Sequence, residues 1–468
     1  LRQAIATILF WLQFDALAPL DLAHIGKADS AMENRVAQYE NAPLSCLIGG
    51  VWELCAGQHI LRTDPATGDT RAPVVLASED QVERAIAAAA AAQSEWAASA
   101  SAHRFDCLAR LTALVERDAD LLAQIIAFEI GAPLPFARAQ QVGGALAHLH
   151  GFLTERASPS DIAADSPQHR LRYEPLGVAA LITPWNWPLN QVVLKLGAAL
   201  AAGCACVLKP SELTPLTARH LGQLCVEAEI PPGVVNIAPG AGDIGEALVR
   251  DPRIAVISFT GSTRAGRAVS EAAGVRPTIL ELGGKSPNVL FADCDLPIAV
   301  AQGVAHCFRN GGQSCNAASW MLVERTIYEK ALEHAASEAA RYAPGGDLDI
   351  GPVISKSQYE RVQSLITTAI KEGGRCVAGG TGPARAHGFY PRPTIIADVA
   401  AGATLTQEEV FGPVLSVIPF KDDDEAVLFR MPLELGLGFY PPFLFGVGIE
   451  AGGGADFIAW ALTAEAGE

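Results

Sequence analysis

From Leu47 onward the apolar positions fall into a regular order. Leu47-Ile48-Gly49-Gly50-Val51-Trp52 reads as the entry to a hairpin around a glycine pair, and Asp64-Pro65-Ala66-Thr67-Gly68-Asp69 as a turn. Ser78-Glu79-Asp80 then opens a long alanine-rich helix through Ala98, with a capping serine and acids in the first turn. Its Glu83, Arg84 and Trp96 make this an ordinary helix packed through small residues rather than low-complexity sequence. Apolar residues spaced by three and four predict two more helices, at about 102–117 and 121–130.

A polar stretch rich in Pro, Ser and Asp at 155–168 reads as a loop, and Arg170 to Pro175 alternates like an exposed strand. Beyond it, apolar runs at Val178–Ile182, Ala205–Leu208, Val234–Ile237 and Ala255–Phe259 alternate with helical patterns. The helices fall near Leu189–Ala202, Thr217–Ala228 and Ile244–Arg250. Strand, helix, strand at this spacing means a parallel sheet covered on both faces, a nucleotide-binding type of α/β architecture. The segment 285–420 repeats the α/β pattern around Cys315, and no internal repeat of fixed period is visible. A fold of this kind does not by itself give a function.

Composition narrows the classes. The 468 residues suggest about two to three domains. Half are hydrophobic and 18% charged, enough for a large core in a soluble protein. A net charge of −17 argues against nucleic acid or an anionic membrane as partner. Ten cysteines lie scattered without a CxxC pair or a paired framework, the pattern of reduced thiols in a cytoplasmic protein. The most apolar internal stretch, Val192–Leu208, is interrupted by Lys195 and Gly203 and reads as a buried helix followed by a strand rather than a membrane span. Arg2, the run Ala4–Leu12 and Ala16-Leu17-Ala18 superficially resemble a secretory signal. A single Arg and the misplaced Asp15 speak against it, and residues 1–31, ahead of Met32, read as upstream sequence or a misassigned start.

Several motifs carry chemistry, each with a plainer alternative. Asn310-Gly311-Gly312-Gln313-Ser314-Cys315-Asn316 presents a cysteine after two glycines that let the backbone approach a ligand; an isolated free cysteine is more often an inert core residue. In Thr183-Pro184-Trp185-Asn186-Trp187-Pro188, Asn186 could offer an amide N–H to a developing oxyanion, a donor worth about 3–4 kcal/mol; the alternative is a rigid turn. Lys209-Pro210-Ser211-Glu212 follows a strand at the carboxyl edge, where open sheets bind ligands. Glu212 there could accept from both hydroxyls of an adenosine ribose and would repel a 2′-phosphate, favouring NAD over NADP; the alternative is a surface ion pair. Phe259 to Gly266 joins strand to helix, and Gly261, Ser262 and the first-turn N–H groups suit pyrophosphate, although GxGxxG is absent. The run Gly240 to Gly245 reads as a tight turn. Glu281, at an apolar strand end before Gly283 and Gly284, would have its pKa raised by desolvation as suits a general base, or else be neutralised by Lys285. Glu409 and Phe411 offer a carboxylate for a second ribose and an aromatic wall for a nicotinamide.

Taken in order, Trp185-Asn186, Lys209 to Glu212, Phe259 to Thr263, Glu281 to Lys285, Gly312 to Cys315 and Glu409 to Pro413 resemble the NAD(P)-dependent aldehyde dehydrogenase superfamily over about residues 47–425. The resemblance implies an α/β aldehyde dehydrogenase-like fold, with two parallel-sheet Rossmann-like domains and a small β oligomerisation flap. It places an NAD-binding domain at 46–154 and 176–283, the oligomerisation hairpin at 155–175 and a catalytic domain at 284–427, after an atypical extension at 1–45. It makes Cys315 the nucleophile and Glu281 the general base, with Asn186 and the Cys315 backbone N–H as the oxyanion hole. Thr183, Trp185, Lys209, Ser211, Glu212, Gly242, Gly261, Ser262, Leu282, Glu409 and Phe411 would form the NAD site. A small-molecule aldehyde is the implied substrate, a homodimer or homotetramer the implied assembly, and no metal is called for.

After Val427 the pattern of the superfamily stops, and 428–468 contains no lysine and one arginine, Arg430. This abrupt shift reads as a frameshift or damaged 3′ end, giving an aberrant tail. Alternatives to aldehyde oxidation are an impaired remnant that only binds NAD, a cysteine hydrolase pairing Cys315 with His306, and a CoA-dependent acylating enzyme. The last is disfavoured by the presence of Glu281.

Overall fold

The computed structural model describes residues 39, 42–154, 161–163, 170–172, 174–343, 346, 348–422 and 425–426. The readings made for residues 1–31 and for the tail at 428–468 lie outside the described residues. The chain forms two compact units. The first takes the chain up to Arg62, Thr70–Glu129 and Pro133–Leu282, and the second takes Thr63–Asp69, Ile130–Ala132 and the chain from Gly283. Two short segments that the sequence reading gave to the first domain thus cluster with the second. The reason is local: Phe389 N–H donates to Pro65 O at 2.9 Å, and Gly131 lies against the Pro352 ring.

In the first unit, β1 (Ser45–Ile48) and β2 (Val51–Leu54) form an antiparallel hairpin. Helix α1 (Glu79–Ala98) starts on a full capping box: Ser78 Oγ accepts from Gln81 N–H while the Gln81 side chain accepts from Ser78 N–H. Helices α2 (Ser101–Arg117) and α3 (Ala119–Ile130) follow with buried apolar faces. Strands β3 (His59–Ile60) and β4 (Val74–Val75) pair antiparallel, as do β5 (Asp161–Ala163) and β6 (Arg170–Arg172) within the segment read as a hairpin.

The parallel core is β7 (Val178–Ile182), β8 (Cys206–Lys209), β9 (Val235–Ile237), β10 (Ile254–Thr260) and β11 (Thr278–Glu281). With the hairpin, the order is β11-β10-β7-β8-β9-β1-β2. β7 and β8 are buried at every position, as central strands covered on both faces must be. The crossover helices are α4 (Asn190–Ala202), α5 (Pro215–Glu227), α6 (Gly242–Arg250) and α7 (Thr263–Ala273). Helix α4 stops at Gly203, whose left-handed φ of 84° closes the last turn.

The second unit holds a five-stranded sheet ordered β12-β13-β16-β15-β14: β12 (Pro287–Leu290), β13 (Trp320–Glu324), β14 (Arg375–Ala378), β15 (Thr394–Ala397) and β16 (Val414–Phe420). All neighbours are parallel except β14 on β15. Helix α8 (Leu296–Phe308) precedes the loop to Cys315, and α9 (Tyr328–Arg341) and α10 (Lys356–Lys371) complete the layers.

Candidate active site

The residues singled out in the sequence divide between the two units. In the first they collect at the carboxyl ends of parallel strands. Thr183 and Asn186 follow β7 and are buried, and Trp185 is half-buried. Gln141 Nε2 donates to the Asn186 carbonyl at 3.0 Å, which fixes the backbone of this turn. The Thr183 hydroxyl is buried and has no hydrogen-bond partner among the described residues.

Lys209 ends β8 as a buried ammonium. It donates to Gly240 O at 2.5 Å and Pro210 O at 3.2 Å and lies 3.9 Å from Glu212. Burial lowers its pKa, and Glu212 and Asp243 pull the other way. The turn at Gly240 therefore has a role that its glycines did not advertise: its carbonyl tethers Lys209. The pair with Glu212 exists, as the plainer reading held, but its cation is buried. Ser211 Oγ accepts from Leu213 N–H at 3.2 Å. Gly242 opens α6 with empty space where a Cβ would point.

Ser262 caps α7, its Oγ accepting from Ala265 N–H at 3.3 Å, and Gly261 N–H donates to Glu281 O at 3.0 Å. Leu282 lies over Gly266, where a Cβ would come within 2.3 Å of its side chain. Glu281 departs from expectation. It is exposed at the end of β11, so the burial invoked from the apolar run is not found. The side chains of β11 alternate between half-buried and exposed because this strand is an edge of its sheet. Lys285 is itself buried, and the carboxylates acting on it are those of Glu409 and Glu408. The cation acting with Glu281 is Lys195 of α4. Lys195 is buried, donates to Ser258 Oγ at 2.9 Å and has its pKa lowered by burial to about 8, with Glu281 opposing the shift.

In the second unit, Cys315 is half-buried between buried Ser314 and exposed Asn316. The turn before it is built from left-handed residues, Asn310 (φ 56°), Gly311 (φ 64°) and Gly312 (φ 74°). Gly312 is required by contact as well as by dihedral: a Cβ there would lie 2.1 Å from the backbone of Gly412. Gln313 locks the turn, donating to Asn310 O at 2.9 Å and Pro352 O at 3.2 Å and accepting from Ile354 N–H at 2.8 Å. Gly284 lies against the Cys315 carbonyl, and its N–H donates to Glu409 Oε1 at 3.4 Å. Burial raises the Glu409 pKa to about 7, against the pull of Gly284 N–H, Lys285 and Arg361. Phe411 is half-buried with φ of 55°, and Gln358 Nε2 donates to the carbonyls of Val410 and Phe411. His306 Nδ1 accepts from Ala318 N–H at 3.1 Å, and Nε2 faces Arg309 at 3.4 Å, contacts that suit a structural imidazole.

Comparison with known proteins shows the family of the chain. The model of the aldehyde dehydrogenase family matches residues 52–438. The chain belongs to the aldehyde dehydrogenase family. It is accordingly an aldehyde-oxidising enzyme of the oxidoreductase class, with the α/β fold of that family. It is 39% identical to a 3-succinoylsemialdehyde-pyridine dehydrogenase of a Pseudomonas species, over 81% of each chain. The crystal structure of an aldehyde dehydrogenase from Bartonella henselae superposes with a TM-score of 0.80 at 40% identity, covering 83% of this chain and 84% of that one. An NAD+ complex of an aldehyde dehydrogenase from Bacillus cereus does so with 0.81 at 33% identity, over 85% and 84%. The family match runs past Val427, where the sequence reading placed the break.

Sequence reasoning missed Lys195, which had served only to argue against a membrane span, and Glu129. Glu129 is a fully buried carboxylate that accepts from Leu216 N–H at 2.6 Å, Thr217 N–H at 3.1 Å and the Thr217 hydroxyl at 2.5 Å. It caps α5, the helix that follows Lys209 to Glu212. Pro215 marks the helix start in the sequence, but nothing there points to Glu129 as its cap; Thr214 makes no side-chain cap in the structure.

Proposed function

We propose that this aldehyde dehydrogenase converts an aldehyde to its carboxylic acid with NAD, using Cys315 as nucleophile, Asn186 as oxyanion donor and Glu281 as general base. The observation that carries the reading is the setting of Cys315: a half-buried thiol on a turn locked by Gln313 and seated on the Gly412 backbone. A nucleophile has to be held and reachable at once.

The residues present fit a dinucleotide. The buried Thr183 hydroxyl, without a partner among the described residues, suits a polar ligand atom, and Gly242 leaves space at a helix start. Lys209, Ser211 and Glu212 would hold the adenosine ribose, with Glu212 disfavouring a 2′-phosphate. Gly261 and Ser262 would hold the pyrophosphate, and Glu409, Phe411, Trp185 and Leu282 the nicotinamide half. NAD, when bound, supplies the hydride acceptor that turns the thiohemiacetal on Cys315 into a thioester.

The chain's own residues do the rest. The Cys315 thiolate attacks the aldehyde carbon, and the oxygen that becomes negative is held by the Asn186 amide and the Cys315 N–H. Glu281 takes a proton from water, the resulting hydroxide attacks the thioester carbonyl, and the C–S bond breaks to release the acid and regenerate the thiolate. Exposure leaves the Glu281 carboxylate within reach of water. Assembly through the 155–175 hairpin into a dimer or tetramer, a cytoplasmic location and the domain roles at 46–154, 176–283 and 284–427 belong to the same proposal. Among the described residues no helix is long and apolar enough to cross a membrane.

The test is a panel of aldehydes with NAD and NADP, followed by absorbance of the reduced nicotinamide. Turnover with NAD, weaker turnover with NADP and none in Cys315→Ala are expected. Undiminished turnover in Cys315→Ala would discard the reading.

A further inference from the structure

Cys46 and Cys55 read in the sequence as two of ten unrelated thiols, but the fold brings their sulfurs together. The antiparallel register sets Cys46 opposite Glu53 and Leu54 opposite Ser45, so Cys55 leaves β2 on the face that Cys46 occupies. Cys55 N–H donates to Leu44 O at 3.0 Å, which keeps the chain in register past the end of the strand. The two Sγ atoms lie 3.4 Å apart in a thiol–thiol hydrogen bond. Both sit in the apolar cluster beneath α1, Cys46 with no exposure and Cys55 with 8%. A disulfide needs sulfurs at about 2.05 Å, so the pair has only a short way to close, and Cys55 lies just outside the ladder where the backbone can give.

We propose that Cys46 and Cys55 form an oxidisable dithiol, a modification site distinct from the Cys315 chemistry, that closes to a disulfide on exposure to hydrogen peroxide. Cys55, the less buried member, attacks the peroxide: its S–H proton leaves, an S–O bond forms and the O–O bond breaks, releasing one water and leaving a sulfenic acid. The Cys46 sulfur then attacks Cys55 Sγ. The S–S bond forms, the S–O bond breaks, and the departing hydroxide takes the Cys46 proton as a second water. Two thiols lose two electrons and two protons, and the peroxide is reduced to two waters. The hydrogen bond with Cys55, and after it burial, hold the Cys46 pKa above the ordinary thiol range, which leaves the attack on peroxide to Cys55 and makes Cys46 the resolving partner. The bond would staple the β1–β2 hairpin at the edge of its sheet, persist in an oxidising compartment and be reversed by cellular thiols in a reducing one.

The sequence supplies a clean readout. Trypsin cuts after Arg35 and Arg62, and the peptide between them, beginning at Val36, contains Cys46 and Cys55 and no other cysteine. Folded full-length protein is treated with hydrogen peroxide, then unfolded in excess iodoacetamide, digested and weighed. The expected peptide carries no alkyl group and is two hydrogens lighter than its reduced form, and dithiothreitol before alkylation restores two alkyl groups. In Cys46→Ser the resolving sulfur is gone, and Cys55 should accumulate as a sulfenic acid trapped by dimedone. The proposal is overturned if the wild-type peptide stays doubly alkylated at peroxide doses that fully oxidise the peptide carrying exposed Cys376. It is equally overturned if Cys46 or Cys55 is recovered bonded to a different cysteine. Replacing both by Ser should leave NAD-dependent aldehyde oxidation in place, which separates this pair from the catalytic reading.

Discussion

At the scale of single residues, the proposed chemistry rests on a tightly held turn. Cys315 rides on a turn in which Asn310, Gly311 and Gly312 all occupy the left-handed region, and non-glycine residues pay for that conformation. Substituting Cys315 by Ala should lower kcat by about a thousandfold or more, with NAD still bound in a calorimetric titration; loss of both would indicate a misfolded chain. Asn186→Ala should lower kcat by about 10²–10³ while leaving KM little changed, as steady-state kinetics would report. Glu409 gives a pH dependence of definite sign. If its carboxylate holds a ribose, NAD affinity should weaken as pH falls through about 7, where burial has placed its pKa, and Glu409→Gln should flatten the profile. Stability moves the opposite way. A carboxyl whose folded pKa is raised contributes fully below the ordinary carboxylate range, and that contribution is lost as pH rises through about 7.

At the scale of elements, two contacts between distant segments shape the loops that carry the candidate residues. Glu129 lends its carboxylate to the start of α5, so Glu129→Ala would strand two backbone N–H groups and a hydroxyl in the core. A loss of about 2–4 kcal/mol in chemical denaturation is expected, given about 1–3 kcal/mol for each unsatisfied buried group and partial relaxation. Gly312→Ala would drive a Cβ into the Gly412 backbone, and activity should fall with a stability loss of about 1–3 kcal/mol. Much of this level was legible in the sequence. The strand at Val178–Ile182 and the helices through Ala98, Arg117 and Ile130 follow from period and caps, because those signals are local. The carboxylate cap of α5 and the Gly312–Gly412 contact were not legible, since their partners lie 87 and 100 positions away in the chain. Glu281 failed for a related reason: an apolar run predicts burial for its strand, but an edge strand leaves alternate side chains in water. Cys46 and Cys55 escaped notice because a diagonal hairpin contact has no sequence signature beyond two cysteines.

For the whole molecule, family membership rests on a match along most of the chain and on structures that superpose at 33–40% identity. Motif order alone had already pointed there, because six motifs, each with a plausible dull reading, coincide in one succession. Assembly into a dimer or tetramer is expected to show in sedimentation as a multiple of the 49.0 kDa chain; a monomer with full activity would separate assembly from catalysis. The central claim is that the aldehyde carbon becomes bound to Cys315 and that Glu281 delivers the water that frees it. It is tested most directly by intact and peptide mass spectrometry of Glu281→Gln after one addition of NAD and an aldehyde that the wild-type enzyme turns over. The account predicts an acyl group on the peptide bearing Cys315 that appears only when NAD is present and clears within the dead time in the wild-type enzyme. An unmodified Cys315, or acyl transfer to a different residue, would contradict it.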